Sequence, residues 1–580
     1  MTLGAILALL GAVPTTATVL AQGAARDALG QVHFPVSCLA PAQAEFDHAV
    51  ALLHHMTYPD ARAAFEKVAR LDPRCAMAHW GIAMTLFQPL WPTRPNPPDL
   101  QRGWNEVGSA RTLHPPTARE SLFVGAVEAF YREPASADYW SRIGRWEAAM
   151  KVVYDAFPQD EEVGAFYSLA RLATSPPTDT TASHQADAAR ILLGILARDP
   201  GHPGALHYLV HANDVPGRER DSLDFIRKYE RIAPDNPHAL HMPTHIYVRH
   251  GDWPAVIGGN LRAADAALRH PAGVRGELVW DEFPHAIEYL IYALLQQGAD
   301  DEAARQLRRL RSTGHLEPTF KSAFHLASTR ARYTLERRAW SEAASIVPRQ
   351  PHTLDWDRFP WAEAIAWFAR GLGAAHIGNV SEAQHSRRRL GGLDTVATAR
   401  GEELFARQIR ILRLELDAQL AHVRGDSAAS ISLLQSAADL ERSTPKHGVT
   451  PAPTVPALEL LGDLLSDLHR PGDALTAYRR SLELYPRRFN GLLGAARAAH
   501  ATSNDTLAAM YYRELLHVAS PRSRRSAVGE AGAFLGRGRS RDASPPVEMR
   551  GNGRSDNARR YGRRMNTTVG STGYRPNRDP

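Results

Sequence analysis

Apolar residues along the chain recur at the spacing of one helix face, and polar or proline-containing breaks separate these runs. Near the N-terminus two successive runs have apolar residues at i, i+4 and i+7: Phe46, Val50 and Leu53, then Ala61, Phe65 and Val68. Pro59 and Asp60 separate the two runs, as expected for a turn between helices. No alternating Val/Ile-rich runs typical of strands stand out. The pattern predicts an all-α chain of helix–turn–helix pairs.

The helix pairs recur with a period of 34 residues, the spacing between Pro200 and Pro234. The clearest unit has small, aromatic and proline residues at Leu461, Gly462, Ala474, Tyr478, Ser481 and Pro486, and a shift of one period gives Ala496, Ala508 and Tyr512. These offsets resemble those of the tetratricopeptide-repeat (TPR) family. The resemblance implies a TPR-like α-solenoid of stacked antiparallel helix pairs with a concave inner face.

Composition divides the chain into five predicted parts. Residues 1–21 read as a signal peptide, 22–45 as an extended lead-in, 46–345 as an N-terminal TPR-like solenoid with a histidine-rich concave face, 346–518 as C-terminal TPR repeats and 519–580 as a disordered Arg/Gly/Ser-rich tail. The whole resembles exported bacterial TPR proteins, which implies a periplasmic or other extracytoplasmic location but no particular activity. Because no Lys or Arg precedes the apolar N-terminal run, an uncleaved membrane anchor is the alternative to export.

Charge and cysteine content narrow the classes of partner. The net charge is +6, but residues 521–580 contain 14 Arg and 5 Asp+Glu, so the rest of the chain carries −3. This excludes a strongly basic nucleic-acid-binding body. After the N-terminus no segment approaches the ~20 apolar residues of a membrane span, so the mature protein is expected to have none. Cys38 and Cys75 predict one disulfide in an exported chain, with two unpaired buried thiols as the alternative.

Histidines form the most unusual pattern in the sequence. His207 and His211 form one His-x-x-x-His pair, and His241 and His245 form a second pair 34 residues later. On a helix, residues four apart share one face. Because equivalent residues of adjacent repeats stack as neighbours, the four imidazoles are expected to form a small square.

The TPR resemblance implies that these pairs line the concave groove, together with His238 near the start of the same helix. Aligning Gly251 with Gly298 places the next unit, although this alignment crosses an insertion at 269–282. The predicted ligand-binding strip is then His207, His211, His238, His241, His245, His285, Glu288 and Tyr292. Asp214 is expected near the edge of the strip, one turn beyond His211.

Imidazoles with a carboxylate are ligands that zinc and other divalent transition metals prefer. The predicted metal set is His207, His211, His241, His245 and Glu288. Alternatives are an anion bound by protonated histidines, a bound peptide carboxylate, and histidines with purely structural hydrogen bonds. Tyr208 and Met242 stand where a zinc peptidase has the glutamate of His-Glu-x-x-His, which argues against that chemistry.

Three functions remain open from the sequence. The favoured hypothesis is a scaffold that binds a protein or peptide partner, or a small ligand, in its concave groove. The second is a metal-dependent enzyme or metal-handling protein, and the third is a structural envelope component without a small ligand. No catalytic residue is assigned, because no nucleophile elbow, P-loop or dinucleotide-binding motif is present.

Overall fold

The structure, a computed structural model, describes residues 29–90, 94–133, 135, 138–176, 179, 181–273 and 276–542. Strands in this part are limited to Pro271–Ala272, paired antiparallel with Leu278–Val279, and a bridge from Val279 to Leu316. Within the described residues, no helix combines the length and apolarity needed to span a bilayer. The prediction of an all-α fold is confirmed.

The helices follow one another through short turns. In the first half they are Ala40–His54, Tyr58–Leu71, Ala76–Phe87, Pro97–Thr112, Ala118–Tyr131, Tyr139–Ala156, Glu161–Ala173, Ser183–Arg198, Pro203–Asn213, Leu223–Ile232, Pro237–His241, Pro243–His250 and Trp253–Ala267. In the second half they are Glu282–Gln296, Asp300–Ser312, Phe320–Leu335, Trp340–Ala344, Pro360–His376, Val380–Ala399, Glu403–Val423, Ser427–Arg442, Ala457–Asp467, Pro471–Leu484, Phe489–Ala501, Asp505–Val518 and Ser526–Asp542. Two 3₁₀ turns, Glu219–Ser222 and Trp356–Arg358, complete the elements.

Consecutive helices pack against each other as stacked pairs. Glycines allow the close crossings that the repeat offsets predict. A Cβ atom on Gly462 would lie 2.7 Å from the ring of Tyr478, and one on Gly81 would lie 2.2 Å from the ring of Phe65. These distances are too short for any side chain, so the helices can approach this closely only with glycine at these crossings. The contacts confirm the TPR-like packing.

The lead-in is shorter than predicted. The first helix begins at Ala40, because Pro41 fits its first turn without an unmet N–H, and not at Phe46. Phe34 in the lead-in is fully buried, and Cys38 forms a disulfide with Cys75, with 5.0 Å between their Cα atoms. The disulfide and the buried ring fix the lead-in to the first helix pairs. The signal peptide expected over residues 1–21 lies outside the described residues.

The folded chain extends beyond residue 518, where the predicted repeats end. A further helix, Ser526–Asp542, follows, and Ala527 and Ala531 on it are buried. One face of this helix is therefore buried, although the Arg-rich composition of the region predicted disorder from residue 519. Residues 536–580 form a separate unit, of which the structure describes only the end of this helix. The predicted tail beyond residue 542 lies outside the described residues.

Helices in the middle of the chain also contact the last repeats. The indole Nε1 of Trp253 donates to the backbone oxygen of Arg487 at 3.0 Å. The backbone N–H of Phe489 donates to Oε1 of Gln296 at 3.1 Å, and that of Ser520 to the oxygen of Gln297 at 2.8 Å. We call these contacts the closure contacts. They join parts of the solenoid that lie about six to seven repeat lengths apart in sequence.

Candidate metal centre

Three short helices position the histidines. Pro203 begins the helix of His207 and His211, and Pro237 begins the helix of His238 and His241. Pro243 interrupts that second helix, yet Met242 keeps helical backbone angles, so His245 stays on the face of His241. The paired spacing therefore aligns each His-x-x-x-His pair on one face, as the periodicity predicts.

The first group of imidazoles, trio A, consists of His207, His211 and His238. Nε2 of His207 lies 3.1 Å from Nε2 of His211 and 3.1 Å from Nε2 of His238. One nitrogen from each ring lies within 4.8 Å of the others. Trio A thus combines the pair of one repeat with a histidine of the next repeat.

The second group, trio B, consists of His241, His245 and His285. Nε2 of His241 lies 2.9 Å from Nε2 of His245, and the rings of His241 and His285 have centroids 4.2 Å apart. Again one nitrogen from each ring lies within 4.8 Å of the others. Trio B repeats the composition of trio A one repeat further along the chain.

The two trios adjoin each other. The ring centroids of His211 and His245 are 6.5 Å apart, and those of His238 and His241 are 6.4 Å apart. The structure therefore brings the four paired histidines to one place, but as members of two groups of three and not as a single square of four. The third members, His238 and His285, belong to the predicted strip but not to the predicted metal set.

Hydrogen bonds at the Nδ1 atoms of trio B determine which nitrogen of each ring carries the hydrogen. Nδ1 of His241 lies 2.7 Å from Oδ1 of Asn260, whose amide nitrogen donates to the Val256 oxygen. Nδ1 of His245 lies 2.8 Å from Oδ2 of Asp214. Burial alone raises the pKa of Asp214, but Lys446 and Arg249 outweigh it and hold the pKa well below its usual value. The amide oxygen of Asn260 and the carboxylate of Asp214 carry no hydrogen and can only accept. Nδ1 of His241 and Nδ1 of His245 therefore carry the hydrogen, and the Nε2 atom of each ring presents a lone pair.

A relay fixes the third ring of trio B in the same way. Nδ1 of His285 lies 2.9 Å from Nε2 of His325, and Nδ1 of His325 contacts the carboxylate of Glu288. Although burial opposes it, the hydrogen bond from His325 helps to lower the pKa of Glu288. The ionised carboxylate accepts from His325, whose other nitrogen then accepts from His285. All three inner nitrogens of trio B therefore present lone pairs.

In trio A two of the three rings are oriented by acceptors. Nδ1 of His207 lies 2.6 Å from the backbone oxygen of His54, which can only accept. Nδ1 of His238 lies 3.3 Å from Oε2 of Glu282, whose pKa is lowered because Lys321 outweighs the effect of burial. Their Nε2 atoms lie 3.1 Å apart. The tautomer of His211 is not determined by such a contact.

Facing lone pairs repel unless a cation lies between them. A proton between His241 and His245 is disfavoured, because burial lowers the pKa of His245 to about 4 and holds that of His241 well below its usual value. Two imidazoles on one tetrahedral metal ion place their nitrogens about 3.3 Å apart. The spacings of 2.9 and 3.1 Å lie within about 0.4 Å of this value, so small movements of the rings would place their nitrogens on one ion.

A third cluster, His54, Glu162 and His202, differs in its hydrogen bonding. Nδ1 of His202 accepts the N–H of Ala205 at 3.2 Å, so its Nε2 carries the hydrogen and offers no lone pair. His54 lies between the hydroxyl of Tyr208, at 3.0 Å, and Glu162, at 2.8 Å. Burial raises the pKa of Glu162 to about 7. This cluster therefore holds protons, although its three ligand atoms, like those of the two trios, lie within 4.8 Å of one another.

The structure corrects two members of the predicted strip. Glu288 does not face the paired histidines: it contacts His325, and its other oxygen accepts from Arg332 at 2.8 Å. Tyr292 accepts from Arg488 at 3.1 Å, whereas Tyr289 is the tyrosine whose ring lies 4.6 Å from that of His241. The reason is that helix Glu282–Gln296 is buried on all sides, so it has no single groove face.

The expectation of an open groove also differs from the structure. His207, His241 and the other predicted strip residues are at most 3% exposed, except the half-buried His211. Residues 444–456, which we call the strap, lie across them. Lys446 pairs with Asp214 at 2.8 Å, and Tyr289 donates to the Gly448 oxygen at 3.2 Å. The strap therefore covers the histidines.

Several residues that orient the trios were not predicted as site residues. They are Asn260, Glu282, His325 and Lys446. Glu282 lies in the insertion and Lys446 in the strap, where repeat offsets give no position. Asp214 was expected only at the edge of the strip, although its spacing of three residues from His211 indicated the same helix face.

Comparisons with known proteins identify no activity. No family model matches this chain, and no curated protein matches it. Among solved structures, the APC/C hetero-tetramer Cut9-Hcn1 has 15% identity over 86% of this chain and 89% of that chain, with a TM-score of 0.32. The yeast Tom70 structure has 11% identity over 87% of this chain and 97% of that chain, with a TM-score of 0.28. Both similarities are loose.

Proposed function

We propose that this chain is a metal-binding α-solenoid protein that holds transition-metal ions at its buried histidine trios. The observation that carries the proposal is the 2.9 Å separation of the His241 and His245 Nε2 atoms, since both rings have their hydrogen on Nδ1. Donor sets made of imidazole alone suit zinc, copper, nickel and iron.

The surroundings favour a firmly held ion over a transient cargo. Hydrogen bonds from Nδ1 to Asp214, Asn260 and the relay through His325 hold the rings of trio B in place, and such contacts typically strengthen metal binding 10–100-fold. The strap limits access of water and chelators. Three imidazoles leave one position of a tetrahedral ion open, where the ion can act as a Lewis acid.

Elemental analysis of the full chain, purified without chelator, tests the proposal. We expect bound metal in the natural protein and its loss in a His207→Ala/His241→Ala variant, because that variant removes a donor from each trio. His202→Asn is the matched control, since it changes a buried histidine whose lone pair already caps a helix. A metal-free natural protein that takes up neither Zn²⁺ nor Cu²⁺ on dialysis would refute the proposal.

The second candidate is a protein-binding scaffold, because the inner face already binds an extended piece of chain. Arg332 donates to the Pro453 oxygen at 2.8 Å and to Oγ1 of Thr450 at 2.8 Å. One of these hydrogen bonds goes to the backbone of the strap and the other to a side-chain hydroxyl, and a peptide from another protein could accept both in the same way. Curved helical repeats commonly use their inner face in this way.

A peptide added in trans tests the scaffold function. In a chain whose strap is replaced by a Gly/Ser linker of equal length, we expect a labelled peptide of residues 444–456 to bind with micromolar affinity. The control peptide carries Lys446→Glu, which places a negative charge against Asp214 and should bind at least tenfold more weakly. Equal binding of both peptides, or none, would count against an inner face that recognises peptides.

A further inference from the structure

We propose that trio A and trio B form one two-ion centre that binds a small anion between the ions. This inference rests on the metal binding proposed above and goes beyond it, because two separate and independent ions would satisfy that proposal equally well. Three features carry it: the matched composition of the trios, their adjacency, and the charge of their surroundings.

The composition of the trios is matched by repeat position. Each trio takes its His-x-x-x-His pair from one repeat and its third histidine from the start of the next: His238 for trio A and His285 for trio B. Each ion would therefore have the same three donors and the same number of open positions. Equivalent ions are expected to bind a shared ligand symmetrically.

The trios adjoin along two pairs of rings, at centroid separations of 6.5 and 6.4 Å. His238 takes part in both relations, since its ring lies 4.8 Å from that of His207 in its own trio and 6.4 Å from that of His241 in the other. Both trios also lie beneath the same strap, which pairs with Asp214 beside His245. The two sites are thus neighbours within one buried region.

Charge predicts that the shared ligand is an anion. The imidazoles are neutral donors, and each nearby carboxylate already has a cation: Asp214 pairs with Arg249 at 2.6 Å and Lys446 at 2.8 Å, and Glu288 pairs with Arg332 at 2.8 Å. Glu282 pairs with Lys321. Two divalent ions would leave their positive charge uncompensated in a buried region, which is costly. A small anion, such as hydroxide from solvent, would compensate part of that charge.

Electron paramagnetic resonance of the full chain loaded with Cu²⁺ tests the inference. We expect two Cu²⁺ per chain and a signal that is broadened or reduced relative to two isolated ions, because neighbouring spins couple. His211→Gln should leave one ion in trio B with an ordinary isolated signal, and His285→Gln should do the same for trio A. His202→Asn should keep the coupled pair. Circular dichroism checks that each variant is folded, and His245→Gln replaces His285→Gln if that variant is not.

Azide serves as the probe for the anion. When azide is added to the Cu²⁺-loaded natural protein, the change in absorption should be complete at one azide per two Cu²⁺. The His211→Gln and His285→Gln variants, which keep one ion each, should bind azide at least tenfold more weakly.

The outcomes separate the two proposals. Two Cu²⁺ with the full signal of isolated ions, one Cu²⁺ per chain, or two azides per chain would overturn the two-ion centre and leave metal binding intact. Absence of bound Cu²⁺ together with absence of bound Zn²⁺ would overturn both.

Discussion

Lowering the pH from 7 to 5 in the presence of chelator is expected to unfold this chain. Nine buried or partly buried histidines have their pKa lowered by burial, to about 3 for His54 and His447 and to about 4 for His55 and His245; the others are His202, His207, His211, His241 and His285. In the unfolded chain each titrates near 6.5. The unfolded state therefore binds more protons below pH 6.5, and the stability contributed by these neutral rings is lost as the pH falls.

Buried carboxyls oppose part of this loss. Burial raises the pKa of Glu162, Glu317 and Glu441 to about 7 and raises that of Glu415 well above its usual value. Because the folded state keeps these protons, these groups stabilise it as the pH falls toward 4.5. Nine histidines against four carboxyls therefore leave a net uptake of protons on unfolding that grows from near zero at pH 7 to about five protons near pH 5, or about 7 kcal/mol per pH unit there. The loss summed from pH 7 to pH 5 is comparable with the whole stability of many domains.

Urea unfolding followed by circular dichroism at pH 6.5, 6 and 5.5 measures this slope. His447→Phe is a suitable variant, since His447 lies among the rings of Phe320, Trp361 and Phe405. It should lower the slope by about one proton, or about 1.4 kcal/mol per pH unit. An unfolding free energy that stays constant or rises between pH 6.5 and 5.5 would contradict the expectation.

Arg488→Leu is expected to lower the free energy of unfolding by about 3–5 kcal/mol. The guanidinium of Arg488 lies 2.9 Å from Glu459 and 2.9 Å from Glu336, and all three side chains are at most 1% exposed. Leucine would leave two buried carboxylates with too little positive charge, although Arg338 at 3.5 Å from Glu459 compensates in part.

The neighbouring residue provides the matched control for this substitution. Arg487 pairs with Glu514 at 2.7 Å, and both side chains are more than a third exposed. Arg487→Leu should therefore change the free energy of unfolding by no more than about 1 kcal/mol. Urea unfolding at pH 7 compares the two variants. Equal effects of Arg487→Leu and Arg488→Leu would show that the buried ion pairs are not the cause.

The sequence predicted those features that depend on local spacing. Gly462 and Tyr478 meet because a 34-residue repeat fixes their offset, and the same period brings His207 and His211 beside His241 and His245. The helix period and the repeat period together determine these neighbours, so no knowledge of distant contacts was needed.

Other features depend on contacts that no local pattern contains. Glu288 was assigned to the metal set by a repeat alignment, but Arg332 and His325 on the following helix draw its carboxylate away. The position of the strap could not be predicted, because it depends on the pairing of Lys446 with Asp214, which is far away in sequence. Burial of the whole inner face could not be predicted without it.

The closure contacts change how this chain should come apart. In an open array of repeats each unit touches only its neighbours, so end units can fray one at a time and stability grows with repeat number. Here the hydrogen bonds of Trp253 and Gln296 tie the middle of the array to the region after Pro486. Loss of the last repeats would remove a hydrogen-bond partner from the helix that carries His285 and from the helix that carries Asn260. The array is therefore expected to unfold as one cooperative unit, and removal of the last repeats is expected to destabilise the middle repeats as well.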